Sequence, residues 1–165
     1  MKEVLLVSIA FSPNVGGIET HFDDLVSALA KRNWKVYVLT YKPITTDVKA
    51  LSFERRGKNI SIFRIPWFGK VFYKLVKKPF LEFIYLTPGL FIALPVFLIL
   101  RGKNIRVIHS HGLIAGMVSV FWGKIFAKRI ITTTHSIYNF PQSGFYRNLA
   151  RWIFNASDLV LTLSE

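Results

Sequence analysis

The sequence predicts an open, doubly wound, parallel α/β sheet of the Rossmann-like kind. Three observations predict it. Apolar strand-like runs alternate with helical-period segments along all 165 residues. A glycine pair, Gly16-Gly17, separates the first such run from the first helical one. No internal repeat or low-complexity linker interrupts the alternation, and a chain of this length holds one domain with a proper core.

Glu3–Ala10 is a near-continuous apolar run followed by a turn signal, as in a parallel strand covered on both faces. Lys2 ahead of Val4–Phe11 imitates a secretory leader. Glu3 in the charged region, and no small-residue cleavage site before Pro13, point instead to a first buried strand. Ile18, Phe22, Leu25, Val26 and Leu29 then recur at helical spacing, with Glu19, Asp23 and Asp24 toward the end where carboxylates suit the helix dipole. Asn33 ends that helix, and Trp34–Thr40 reads as a second strand. The result is a βαβ unit with Gly16-Gly17 at the carboxyl end of its first strand.

Residues 41–59 carry Pro43, Gly57, Asn59 and mixed charge, which predicts a loop with at most a short helix. Ile60–Ile65 is the third strand, closed by Pro66. Next, Trp67, Phe68, Val71, Phe72 and Leu75 form one helical stripe opposite Lys70, Lys74, Lys77 and Lys78. A basic amphipathic helix with aromatic residues on its apolar side fits a membrane surface, and an ordinary helix packed on the sheet has the same pattern. Phe83–Leu100 runs 18 residues without a charge, the lower limit for a membrane span. Pro88, Gly89 and Pro95 argue against one straight span, so a buried or surface-inserted helical segment is expected.

Arg106–His109 is the fourth strand, with Ser110, His111 and Gly112 at its carboxyl end, and Leu113–Phe126 is a helix. Arg129–Thr134 is a β-branched fifth strand ending in His135 and Ser136. Phe145–Phe154 reads as a helix and Asp158–Leu163 as a sixth strand. The sequence stops at a strand end, where ligand loops belong, so further protein is expected to follow.

Lys plus Arg number 22 against 9 Asp plus Glu, a net charge of +13, yet the mean hydropathy is +0.37. Charge and apolarity together point to a membrane surface or an anionic, partly apolar ligand. Nucleic acid competes on charge alone, but no RNA-recognition signature or helix-turn-helix is present. The absence of cysteine excludes disulfides, thiolate metal sites and a cysteine nucleophile. No G-x-G-x-x-G, P-loop or G-x-S-x-G pattern occurs, which disfavours dinucleotide dehydrogenases, P-loop NTPases and common serine hydrolases.

Ligands in such sheets bind outside the carboxyl ends of the strands. Those ends carry Gly16-Gly17, Thr40, His109 to Gly112, His135-Ser136 and Ser164-Glu165, while His21 lies in the first turns of the first helix. Glycine amides and imidazoles on one rim fit a polar, anionic substrate. His109 and His111 share a strand face and so have chelating spacing, but no carboxylate or thiolate stands with them, and no metal is expected. His109 also fits a simple hydrogen-bonded strand end, and the glycine pair a purely structural turn.

The segments "SPNVGGIETH" after strand one, "VIHSHG" at strand four, "TTTHS" at strand five and "ASDLVLTLSE" at the end carry a family resemblance. In that order they resemble the N-terminal, acceptor-side half of a retaining GT-B glycosyltransferase of family four, over the full 165 residues. "GGIETH" and "IHSHG" are most similar to the phosphatidylinositol N-acetylglucosaminyltransferase and mannosyltransferase branches. The resemblance implies that residues 1–165 form a Rossmann-like acceptor-binding domain, with a C-terminal nucleotide-sugar domain absent from this sequence. It implies that Gly16 and Gly17 approach the donor diphosphate and that His135 contacts the donor sugar at the reacting centre. It places Glu19, His21, His109, His111, Gly112 and Ser136 on the acceptor side. No cofactor or metal is implied, and leaving-group stabilisation by charge and amides would be the main catalytic term.

The expectation is a hexosyltransferase-type enzyme, inactive as this half alone, acting on a lipid or lipid-linked acceptor. It would sit at the cytoplasmic face of an anionic membrane through Trp67, Lys70, Phe72, Lys74, Lys77 and Lys78. Alternatives are a nucleotide-sugar epimerase or soluble-acceptor transferase of the same fold, and a non-catalytic basic module binding lipid or nucleic acid.

Overall fold

The computed structural model describes residues 2–14, 16–68, 78–135 and 144–162, with 18 and 79 described by backbone only. The apolar run at Glu3–Ser8 forms β1, which pairs in parallel with β2 (Lys35–Tyr41) on one side and β5 (Val107–His111) on the other. With β3 (Phe53–Arg56), β4 (Ile60–Ile65), β6 (Arg129–Thr134) and β7 (Leu159–Thr162), these strands form a seven-stranded sheet ordered β3-β4-β2-β1-β5-β6-β7. All its pairings are parallel except that of β3 with β4. The chain winds outward from β1 to one edge, returns to β5, and winds outward again, so the topological switch lies between β1 and β5.

Alternate residues of β1 feed two cores, as the period of two requires. Val4 and Leu6 join Val36, Val38 and Ile62 beneath Phe22 and Val26 of α1 (Gly17–Lys31). Leu5 and Val7 join Tyr37, Leu39, Ile108 and Ile130 beneath α2 (Pro79–Arg101), α3 (Leu113–Ile125) and α4 (Phe145–Ala156). Asn33 ends α1 as expected: it takes φ 60°, and the Trp34 amide reaches back to the Leu29 carbonyl at 3.1 Å, closing a Schellman-type cap.

The mixed-charge stretch before Ile60 differs from the expected loop, because Phe53–Arg56 is an antiparallel edge strand. Its alternation is real but half polar. Phe53 packs on Phe63 at 5.0 Å, while Glu54 and Arg56 turn to the α1 face. There Arg56 bonds Asp23 at 2.8 Å and Glu54 at 2.5 Å, and the fully buried Arg64 side chain bonds Glu54 at 2.7 Å. The signal was hidden because this strand's inward residues pair charges instead of burying hydrocarbon.

The charge-free segment lies within one helix of 23 residues despite its prolines and glycine. The Tyr41 hydroxyl explains how. It accepts a hydrogen bond from the Leu90 amide at 2.8 Å and donates to the Leu86 carbonyl, the two groups an uninterrupted helix would join to each other. Gly89 makes room, since a β-carbon there would lie 2.5 Å from that hydroxyl and 2.9 Å from the Trp67 ring. Pro95 lacks the amide that would bond the Phe91 carbonyl, and the Trp122 indole fills that place at 2.8 Å. Leu86, Leu90 and Leu94 are buried, whereas Ile84, Ile92, Val96 and Ile99 are exposed. The helix is long and apolar enough to cross a membrane, yet it lies with one face on the core.

Candidate functional site

Two helices begin beside the switch. α1 starts after Gly16 and α3 after Gly112, and neither has a side-chain cap hydrogen bond on its first amides. Gly112 requires glycine because its φ is +83°, and its amide is held to the Thr133 carbonyl at 3.0 Å. Gly16 is extended, and its lack of a side chain instead admits the Glu19 carboxylate, which folds back over it. Nothing lies within 4 Å of where a β-carbon on Gly17 would stand. A carboxylate therefore already rests at the positive end of the α1 dipole, where the diphosphate is expected.

The segment leading to that loop is clamped. Arg64 donates to the Ser12 carbonyl at 2.8 Å and Arg56 to the Ser12 hydroxyl at 3.1 Å. Asn14, 4 % exposed, donates to the Phe11 carbonyl at 2.8 Å and accepts from the Thr45 amide and hydroxyl. None of these residues announces itself in the sequence, because each acts across a separation of 31 positions or more except for the Asn14–Phe11 bond.

The register of β5 and β6 places His109 and His111 on the α1 face, next to Thr133. His109 and His111 stack with ring centroids 4.5 Å apart, and His111 and His135 stack at 5.1 Å. Phe22 closes over His111 at 4.2 Å, and His21 meets His135 edge-on at 5.7 Å. His109 Nε2 lies 2.7 Å from the Thr133 hydroxyl, and His111 Nδ1 lies 2.8 Å from His135 Nε2. Burial, reinforced by His135 and His21, pushes His109 down to about 4. Burial, with His109, His135 and His21 adding to it, pushes His111 down to about 2, and burial followed by His21 lowers His135. The stack is therefore neutral near pH 7. Attraction for an anion at this rim comes from the helix starts and not from charge on the rings.

The structure thus brings Gly16, Gly17, Glu19, His21, His109, His111, Gly112 and His135 to one rim. They differ in exposure. His109 and His111 are 7 % and 3 % exposed, so they support the rim from beneath and His135 is the imidazole at its surface. Ser110 faces the other layer, in a hydroxyl chain with Thr132 and Ser157. Trp67, expected to contact a membrane, is half-buried: it packs on the core, donates its indole N–H to the Tyr85 carbonyl at 3.1 Å, and also lines a cleft. Lys78 is exposed at the start of α2, whereas Ser136, Lys70, Phe72, Lys74 and Lys77 lie outside the described residues. Among the described residues no group of three or more possible metal ligands comes together. The contacts of Phe22 and Thr133 with the stack were not foreseen, and only the helical position of Phe22 opposite the strand ends hints at its place.

A doubly wound sheet with its rim at the β1–β5 switch defines a Rossmann-like α/β domain. The chain belongs to Glycosyltransferase Family 4, whose family model matches residues 15–165. It is similar to a phosphatidylinositol N-acetylglucosaminyltransferase subunit of Arabidopsis thaliana, 27 % identical over 144 residues, covering 86 % of this chain and 29 % of that protein. The human protein of the same name is 27 % identical over 141 residues, covering 83 % and 26 %. The chain thus spans less than a third of these relatives. In fold it resembles sucrose-phosphate synthase from Thermosynechococcus elongatus, with TM-score 0.70, 19 % identity and coverage of 97 % and 42 %. It also resembles the Arabidopsis thaliana starch synthase IV catalytic domain, with TM-score 0.60, 17 % identity and coverage of 82 % and 34 %.

Proposed function

We propose that this chain supplies the acceptor-side wall of a nucleotide-sugar-dependent, retaining hexosyltransferase whose acceptor is a lipid or lipid-linked molecule. The observation that carries this is the meeting of two uncapped helix starts, at Gly16 and Gly112, with the neutral His111–His135 pair. In this account the amides of Gly16 and Gly17 hold the leaving diphosphate, and the dipole of α1 stabilises the charge that grows on it. His135 contacts the donor sugar at the reacting centre, oriented by His111. His21, Glu19 and Gly112 flank the acceptor, and no metal is required. A second Rossmann-like domain supplies the nucleotide site and the opposite wall, so the 165 residues alone have little activity.

The lipid acceptor draws on the names of the two curated relatives, and on the surface of this chain. The bare side of α2, with Ile84, Ile92, Val96 and Ile99, ends beside the exposed cations Arg101 and Lys103. That combination suits peripheral contact with an anionic bilayer, at the cytoplasmic face in this proposal.

The test incubates the complete protein with UDP-N-acetylglucosamine and phosphatidylinositol vesicles and follows sugar-labelled lipid by mass spectrometry. Glycolipid formation with the same anomeric configuration as the donor is expected. Transfer only to soluble glycans would overturn the lipid acceptor, and inversion would overturn the retaining course.

A further inference from the structure

A cleft of about 770 Å3 opens on the flank of the glycine loop away from the histidines. Its wall is the segment joining β2 to β3, lined by Lys42, Ile44, Val48, Lys49 and Leu51, and Trp67 closes the β4 side. That volume is in the range of small-molecule sites, roughly 300–1,000 Å3.

Two features of the lining select the ligand. Lys42 and Lys49 have no ion-pair partner among the described residues, and with one carboxylate, Asp47, on the same wall the lining keeps a net positive charge for one anion. Beside them Val48 is 54 % and Leu51 71 % exposed, and Phe68, next to Trp67, is 75 % exposed. Large apolar side chains held in water next to unpaired lysines fit an anionic amphiphile, with its phosphate on the lysines and its hydrocarbon on Val48, Leu51 and Trp67. A free phosphate or a sugar would leave the apolar part uncovered.

The wall is also bonded at two points to the segment that leads directly into Gly16. Thr45 donates to Asn14 through its amide at 3.1 Å and its hydroxyl at 2.6 Å. Arg64 spans from the Leu51 carbonyl at 3.3 Å to the Ser12 carbonyl at 2.8 Å. Both anchor points, Ser12 and Asn14, lie within four residues of that glycine.

We infer that this cleft binds the phosphate and proximal acyl chain of one anionic phospholipid, separate from the acceptor, and that the bound lipid seats the glycine loop at the bilayer. The inference does not depend on sugar transfer. Its test titrates the complete protein calorimetrically with dihexanoyl phosphatidylserine below its micelle concentration. Dihexanoyl phosphatidylcholine and inorganic phosphate serve as comparison ligands.

Saturable one-to-one binding of the anionic lipid is expected, about tenfold tighter than either comparison ligand. The double variant Lys42→Gln/Lys49→Gln, and separately Leu51→Ser, should each weaken it about tenfold with the thermal midpoint unchanged. If the double variant fails to fold, the exposed Leu51 position decides. Binding unchanged in the folded variants, or inorganic phosphate binding as tightly as the lipid, would overturn the inference. Because no donor sugar is present, loss of transfer in the separate assay leaves this result standing, and the reverse also holds.

Discussion

His111 Nδ1 and His135 Nε2 face each other at 2.8 Å, and each ring's other nitrogen, His111 Nε2 and His135 Nδ1, is buried without a partner among the described residues. Only one of the facing atoms carries the shared proton. If His111 donates, His135 Nδ1 is an N–H and His111 Nε2 a lone pair; in the other tautomer the roles reverse. The proton shared between the facing atoms thereby fixes the tautomer of both rings together. The pair is a preorganised polar contact that needs no charge.

The first consequence is a pH dependence of stability. His109 and His111 are depressed from the ordinary value to about 4 and about 2, so the unfolded chain binds more protons below pH 6.5. Their contribution is intact above that pH and is lost as pH falls toward the folded values. Each adds a slope of about 1.4 kcal/mol per pH unit in its window. Urea midpoints at pH 7, 6 and 5 should fall progressively, and His109→Gln should flatten the fall. A flat profile in the parent protein would contradict neutral burial of the stack.

Glu54 acts in the same direction at lower pH. Burial alone would raise it, but hydrogen bonds from Arg56 and Arg64 hold it below the usual carboxylate range. Arg64→Met should cost roughly 3–5 kcal/mol, as when one partner of a buried pair is removed. It also frees the Ser12 carbonyl, so amide exchange should rise over residues 12–17. Exchange confined to the β3–β4 edge would contradict the clamp.

Glu19 over Gly16 makes a prediction of opposite sign. Removing its charge with Glu19→Gln should tighten nucleoside diphosphate binding by the complete protein, by about tenfold or less. Equilibrium dialysis reads this directly. Weaker binding would show that the carboxylate organises the loop instead of occupying the anion's place.

Tyr41→Phe removes the hydroxyl that joins Leu86 to Leu90 and should destabilise the fold by about 1–3 kcal/mol. Gly89→Ala should cost a similar amount by overpacking against Tyr41 and Trp67. The two changes share a contact, so their effects should not add. Strict additivity in urea unfolding would contradict the inserted hydroxyl.

Most of the sheet was legible because parallel strands covered on both faces read as apolar runs, as at Val4–Val7, or as β-branched ones, as at Ile130–Thr134. The rim followed from strand order alone, which placed Gly16, Gly112 and three histidines together. Phe53–Arg56 escaped because its inward face is ionic. The continuity of α2 escaped because Pro88, Gly89 and Pro95 are breakers locally, and their repair by Tyr41 and Trp122 comes from residues 45 and 31 positions away. Depth escaped as well: a sequence puts His109, His111 and His135 at strand ends, but only packing against Phe22 shows which of them reaches the surface.

The measurement that bears most directly on the proposed role of this rim is turnover of the complete protein with His135→Ala, in parallel with His109→Gln. For His135→Ala, kcat should fall by about a hundredfold or more with the thermal midpoint nearly unchanged. For His109→Gln, the loss should appear chiefly in stability. A His135→Ala enzyme that turns over like the parent would contradict a reacting centre at this rim.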